Sequence, residues 1–156
     1  MLSLISCRAA RRGPLQRGPA RRRGFSLIEL MVTVAIVAVL AAIALPSYRH
    51  YVLQGNRTDA IKALAFYQQA LERCYSQNFT YTGCAQIPGM PVATTDGYYS
   101  ISLPTLTATT YMLQATAAGT QASDTQCKVF TITQAGVQAA QDSSTNDQTQ
   151  ACWGGH

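Results

Sequence analysis

The chain begins polar and basic, turns almost wholly apolar at Phe25 and stays so to Leu45. As a helix those 21 residues would be about 31 Å long, close to the thickness of bilayer hydrocarbon. One charge interrupts the run, Glu29, near its start. Pro46 follows it; proline removes a backbone donor and crowds the preceding turn, so it bends the helix without having to end it. Beyond it, apolar or small residues recur at Tyr48, Tyr51, Val52, Ala60, Ala63, Leu64, Tyr67, Leu71 and Cys74. Arg57, Lys62, Gln69 and Arg73 fall largely elsewhere, which is helical spacing with one buried face. The pattern predicts one long helix over 25–77, membrane-embedded in 25–45 and amphipathic in 46–77. Gly55-Asn56 is its weak point, and Ile61 and Phe66 lie off the stripe, either as scattered surface apolars or as contacts for a neighbouring chain.

Residues 78–97 carry turn formers at Asn78, Gly83, Pro88, Gly89, Pro91, Asp96 and Gly97, and read as a loop from helix to sheet. Three runs then alternate with period two. Tyr99, Ile101 and Leu103 share one side, as do Tyr111, Leu113 and Ala115, and then Phe130 and Ile132. Such alternation of aromatic and branched residues predicts half-buried strands. Gly119, Ser123 and Asp124 mark a turn before the last of them. Residues 134–151 are poor in bulky apolars and read as a flexible loop. The expected fold is α+β: the helix, by its second half, packs on a three- to four-stranded antiparallel sheet in 98–156, with a disulfide-closed C-terminal loop.

The net charge of +5 belongs to the whole chain. Residues 1–24 hold seven of its twelve basic residues, and without them five bases face seven acids. Bulk basicity is thus no sign of nucleic-acid binding. The Arg-rich segment reads as a leader, with no packed structure of its own, that keeps the N-terminus cytoplasmic. Of five cysteines, Cys7 falls in that leader. Cys74, Cys84, Cys127 and Cys152 form an even set in the exported part, where disulfides are expected. Three pairings are possible. Cys74–Cys84 with Cys127–Cys152 closes the smallest loops and is the expected one, each bridge contributing about 3 kcal/mol.

No catalytic set is recognisable: His50 and His156 have no partner at a telling spacing, and Asp59 and Glu72 read as solvated acids. The cysteine spacings do not suit zinc, and no cofactor or metal is expected. Glu29 is the residue that needs explaining, because a carboxylate in an apolar span is costly without a partner. Cutting between Gly24 and Phe25 would create an α-amino group one helical turn away. The rival processing signals are the Arg22-Arg23-Gly24-Phe25 twin-arginine pattern and the small residues Ala42-Ile43-Ala44. Neither accounts for Glu29.

Directly after the basic leader, Gly24-Phe25-Ser26-Leu27-Ile28-Glu29-Leu30 resembles the class III signal of type IV pilins. Pro46 sits where such pilins bend their helix, although Ala38 stands where many have a glycine. Cys127…Phe130-Thr131-Ile132-Thr133…Gly136…Cys152-Trp153 is similar to minor pilins of the PilE type, and Trp153 is expected to pack over the terminal bridge. The resemblance spans the whole chain and is most specific at 24–30. It implies cleavage between Gly24 and Phe25 by a prepilin peptidase, N-methylation of Phe25, and assembly through Glu29, which meets the Phe25 amine of an incoming subunit. The implied partners are other pilin subunits, the prepilin peptidase, the pilus assembly platform and, before assembly, the inner membrane. The implied place is the inner membrane, with the C-terminal part periplasmic, and then the surface pilus. The expected function is non-enzymatic: a minor pilus subunit supporting pilus biogenesis, twitching or adhesion. One alternative is a type II secretion pseudopilin. Another is a DNA-uptake pilin, which needs a basic stripe on the sheet; after Arg73 the basic side chains reduce to Lys128, so no direct nucleic-acid contact is expected.

Overall fold

The computed structural model describes residues 24–84, 87 and 89–154. Expectations for Cys7, Arg21, Arg22, Arg23, Pro88 and His156 lie outside the described residues. The chain divides between Ala41 and Ala42 into two compact units.

In the first unit the described chain becomes helical at Leu27, where α1 (Leu27–Asn78) begins. The Leu30 amide donates to the Ser26 carbonyl at 3.1 Å, so the first turn closes on Ser26. Val34, Ile36, Val37, Val39 and Leu40 are all exposed. An apolar helix with no buried face needs lipid or other helices around it. By length and composition α1 is apolar enough here to cross a membrane.

In the second unit α1 buries one face: Arg57, Asp59, Ala60, Leu64, Leu71 and Cys74. Ala60, Leu64 and Leu71 stack at helical spacing and are completely buried against the sheet. Tyr48, Tyr51 and Val52, expected on this face, are instead exposed. The cover over the helix reaches back only to Leu53, whose carbonyl accepts the Gln121 amide at 2.9 Å. α1 runs on through Gly55-Asn56. Ile61 is half-buried and packs on the core, while Phe66 is exposed.

The sheet has five antiparallel strands in meander order: β1 (Val92–Ala93), β2 (Tyr99–Leu106), β3 (Tyr111–Ala117), β4 (Val129–Thr133) and β5 (Gln138–Gln141). Alternation places Tyr99, Ile101, Tyr111, Leu113, Ala115, Phe130 and Ile132 inside. Their registers agree, with Ile101 opposite Ala115, Ala115 opposite Phe130 and Phe130 opposite Ala140. The three- to four-stranded expectation is thus corrected to five. The loop of 78–97 contributes β1, because Gly97, at φ 74°, turns the chain back and donates to the Thr94 carbonyl at 3.0 Å. The segment read as a loop, 134–151, contributes β5 and leads into α2 (Thr149–Trp153). The turn at 119–124 is a 3₁₀ helix, Gly119–Ser123, with Asp124 just after it.

Two disulfides tie the unit. Cys74 on α1 bonds Cys84 in the following loop, and Cys127 before β4 bonds Cys152 on α2. Trp153 meets Phe130 edge-on at 5.6 Å, and its indole donates to the Ala139 carbonyl at 3.0 Å. The polar terminal loop is thus held by a bridge, an aromatic contact and a strand.

Candidate functional site

Gly24 and Phe25 precede the first turn of α1, so the bond between them lies outside regular structure. Phe25 is 81 % exposed, and nothing lies within 4 Å of where a Gly24 side chain would sit. An uncovered peptide bond outside regular structure is open to a protease. Glu29 falls in the first turn of α1, where a negative charge suits the helix dipole. It is exposed and has no ion-pair partner among the described residues. Nearby, Thr33 satisfies its own hydroxyl by donating to the Leu30 carbonyl at 2.8 Å, so this polar side chain needs no outside partner. Glu29 is the charge left to be answered. Pro46 lies within α1, which continues through it.

The second unit answers its own buried charge. Arg57 and Asp124, 67 residues apart, form a two-pronged ion pair: Nε donates to Oδ2 at 2.7 Å and Nη2 to Oδ1 at 3.0 Å. Both are nearly sealed from solvent. Arg57 also donates to the Gln126 side chain at 3.1 Å. Asp124 accepts from the Gln121 amide at 3.0 Å and from the Gln126 and Cys127 backbone amides at 3.1 and 3.2 Å. Burial by itself would raise the Asp124 pKa. Arg57 and the two backbone amides outweigh it and hold the carboxyl below its ordinary value. The pair therefore fastens α1 to the segment that positions Cys127. Gln121, fully buried, adds bonds to Tyr99 and to the Leu53 carbonyl. Burial, only partly offset by the Gln121 amide, pushes Tyr99 up to about 12.

These residues correct three readings. Arg57 is not on the solvent side, and Asp124 is more than a turn residue. Asp59, expected to be solvated, is buried and accepts the Thr94 hydroxyl. Glu72 is exposed as expected but is not idle. It accepts the Tyr111 hydroxyl at 2.8 Å and that of Tyr81 at 3.1 Å. Burial, reinforced by Glu72, raises the Tyr111 pKa. His50 is exposed.

Two family profiles match the chain. The prokaryotic N-terminal methylation motif covers residues 19–45. The profile described as type IV minor pilin ComP, DNA uptake sequence receptor, covers residues 46–131, more than half the chain. The chain belongs to this type IV minor pilin family. It is 37 % identical over 81 residues to the prepilin peptidase-dependent protein D of Escherichia coli K12, covering 51 % of this chain and 56 % of that one. It is 36 % identical over 78 residues to the fimbrial protein EcpC of Eikenella corrodens, covering half of each. The chain thus spans about half the length of the curated relatives it matches. The non-core minor pilin PilV of Neisseria meningitidis shares the fold, with a TM-score of 0.50 at 20 % identity over 62 % of this chain and 93 % of that one. The long helix on an antiparallel sheet with a disulfide-bonded C-terminal region is the type IV pilin fold.

Proposed function

We propose that this chain is a structural subunit of a type IV pilus, of the minor class. A prepilin peptidase cuts it between Gly24 and Phe25 and methylates the new Phe25 amine. It waits in the inner membrane with its N-terminus cytoplasmic and its second unit periplasmic. It then passes through the assembly platform into the surface fibre. The supporting observation is an uncovered, membrane-length apolar helix whose lone acid, Glu29, follows the cut by one turn. Unpaired charges in hydrocarbon each cost several kcal/mol, and an incoming amine meeting Glu29 relieves both. In the test, Glu29→Ala leaves cleavage intact and lowers incorporation into sheared fibres by more than about tenfold, the ratio of some 1.4 kcal/mol. Normal incorporation of that variant removes this role from Glu29.

The match to the DNA-uptake profile over residues 46–131 favours a second reading, in which the filament carries this subunit for DNA capture. The charges around the sheet do not favour direct contact there, since the exposed Arg49, Lys62 and Arg73 all lie on α1. Arg57 is consumed by Asp124, and Lys128 donates to the Ala122 carbonyl at 2.7 Å. Duplex binding rests on several cations facing the phosphates at once. Deletion of the gene separates the readings. Loss of DNA uptake with unchanged fibre number supports the second, and loss of fibres supports the first.

A further inference from the structure

Against the helix in the second unit lies an open groove of about 490 Å³, lined by Asp59, Lys62, Phe66, Tyr67, Thr94 and Asp96 among others. Its floor is unusual. Asp59 is 5 % exposed, yet its one hydrogen-bond partner among the described residues is the Thr94 hydroxyl, which also accepts the Tyr99 amide. No cation lies within 4 Å of it among those residues. The contrast with Asp124, sealed to a similar degree but met by a guanidinium and two backbone amides, is direct. The Thr94 hydroxyl occupies one Asp59 oxygen, and the other is not among the buried atoms left without a partner, so the carboxylate opens onto the groove and is free to take a cation there. Lys62 lines the same groove but is exposed and reaches neither acid within 4 Å. Asp96 adds a second negative charge. Phe66, 64 % exposed and edge-on to Tyr67 at 5.3 Å, offers an aromatic wall of the kind that attracts cations.

We propose that this groove seats a lysine or arginine side chain of a neighbouring pilin subunit. Three features point to that occupant. The acids outnumber the groove's own cation, the wall is aromatic, and the groove runs along the same helix, α1, that carries the assembly segment. The ammonium or guanidinium group lies between Asp59 and Asp96, and its alkyl stem lies on Phe66. The proposal rests on the chain being a fibre subunit.

The test uses the full chain in the producing cell, with Phe66 replaced by the photo-reactive p-benzoylphenylalanine. Fibres are sheared, irradiated and mapped by mass spectrometry. The expected product joins residue 66 to a second pilin, within two residues of a lysine or arginine. Its yield falls about fivefold in Asp59→Asn and in Asp96→Asn, the ratio given by the upper end of exposed ion-pair energies. Asn at 59 can still accept the Thr94 hydroxyl, and Asp96→Asn leaves that bond untouched, so the second variant decides if the first folds poorly. Fibres that contain the chain but yield no such product overturn the groove assignment and leave the pilus reading standing. A link far from any basic residue, or a yield unchanged in the variants, does the same. Absence of the chain from fibres overturns both.

Discussion

Replacing Asp124 by Asn keeps the shape of the side chain and removes its charge. Arg57, 4 % exposed, would then be a buried cation without a counter-ion. Both prongs of the pair, at 2.7 and 3.0 Å, are weakened, and the Asn amide nitrogen faces donors where a carboxylate oxygen accepted. Removing one partner of such a pair costs about 3–5 kcal/mol, a large part of the roughly 5–15 kcal/mol that holds a domain. For a unit of this size that corresponds to a fall in Tm of about 10–20 °C. Arg57→Met with Asp124→Leu should recover much of it, because both charges then leave together. The sign with pH follows from the depressed carboxyl. Its contribution is complete above the ordinary carboxylate value of about 4 and is lost as pH falls through the lower folded-state value. The gap between wild type and Asp124→Asn should therefore be constant from pH 7 to pH 5 and shrink below about 4. Urea unfolding of the full chain in detergent, read by Trp153 fluorescence and near-ultraviolet dichroism, measures it. A gap under about 0.5 kcal/mol at pH 7, or one that persists unchanged at pH 3, would refute the reasoning.

Two further outcomes follow from the second unit. Tyr99 and Tyr111 are buried with raised pKa values, so the stability they confer is complete below the ordinary tyrosine value of about 10 and is lost as pH climbs towards and beyond 12. Ultraviolet titration should show these two ionising only with unfolding; their ionisation in the folded chain near pH 10 would contradict their burial. The bridges differ in reach, with Cys127 and Cys152 separated by 25 positions and Cys74 and Cys84 by 10. Chain entropy then makes the first bridge worth about 3.5 kcal/mol and the second about 2.7, so paired Ser substitutions at 127 and 152 should lower the urea midpoint more than those at 74 and 84. The reverse order would mean that local strain or residual structure dominates.

Local patterning made much of the fold readable. Period-two runs at Tyr99–Leu103, Tyr111–Ala115 and Phe130–Ile132 carry their aromatic residues on one side only, and they became β2, β3 and β4. β5 was hidden because Gln138-Ala139-Ala140-Gln141 has no bulky or branched side chain. It is a strand through its pairing with β4 and through Thr149 and Trp153, which bond to its backbone. β1 is two residues long and depends on a turn. The exposure of Tyr48 and Tyr51 could not be read from spacing, because helical period says which residues share a face but not how far along it a partner extends. Arg57 and Asp124 were hidden for a related reason. Charged residues are read as solvated by default, and a partner 67 positions away leaves no local trace. The N-terminal segment was the most legible part of the candidate site, since an acid in an apolar run is anomalous without any tertiary context.

The central claim is that trimming after Gly24 turns a membrane helix into a fibre subunit. Intact mass and N-terminal sequencing of this chain from sheared fibres test it most directly. The account predicts a chain starting at Phe25 and carrying one methyl group on its amine. A chain starting at Met1 or at Leu45, or fibres that lack it while pilus number and protein export survive its deletion, would contradict the account.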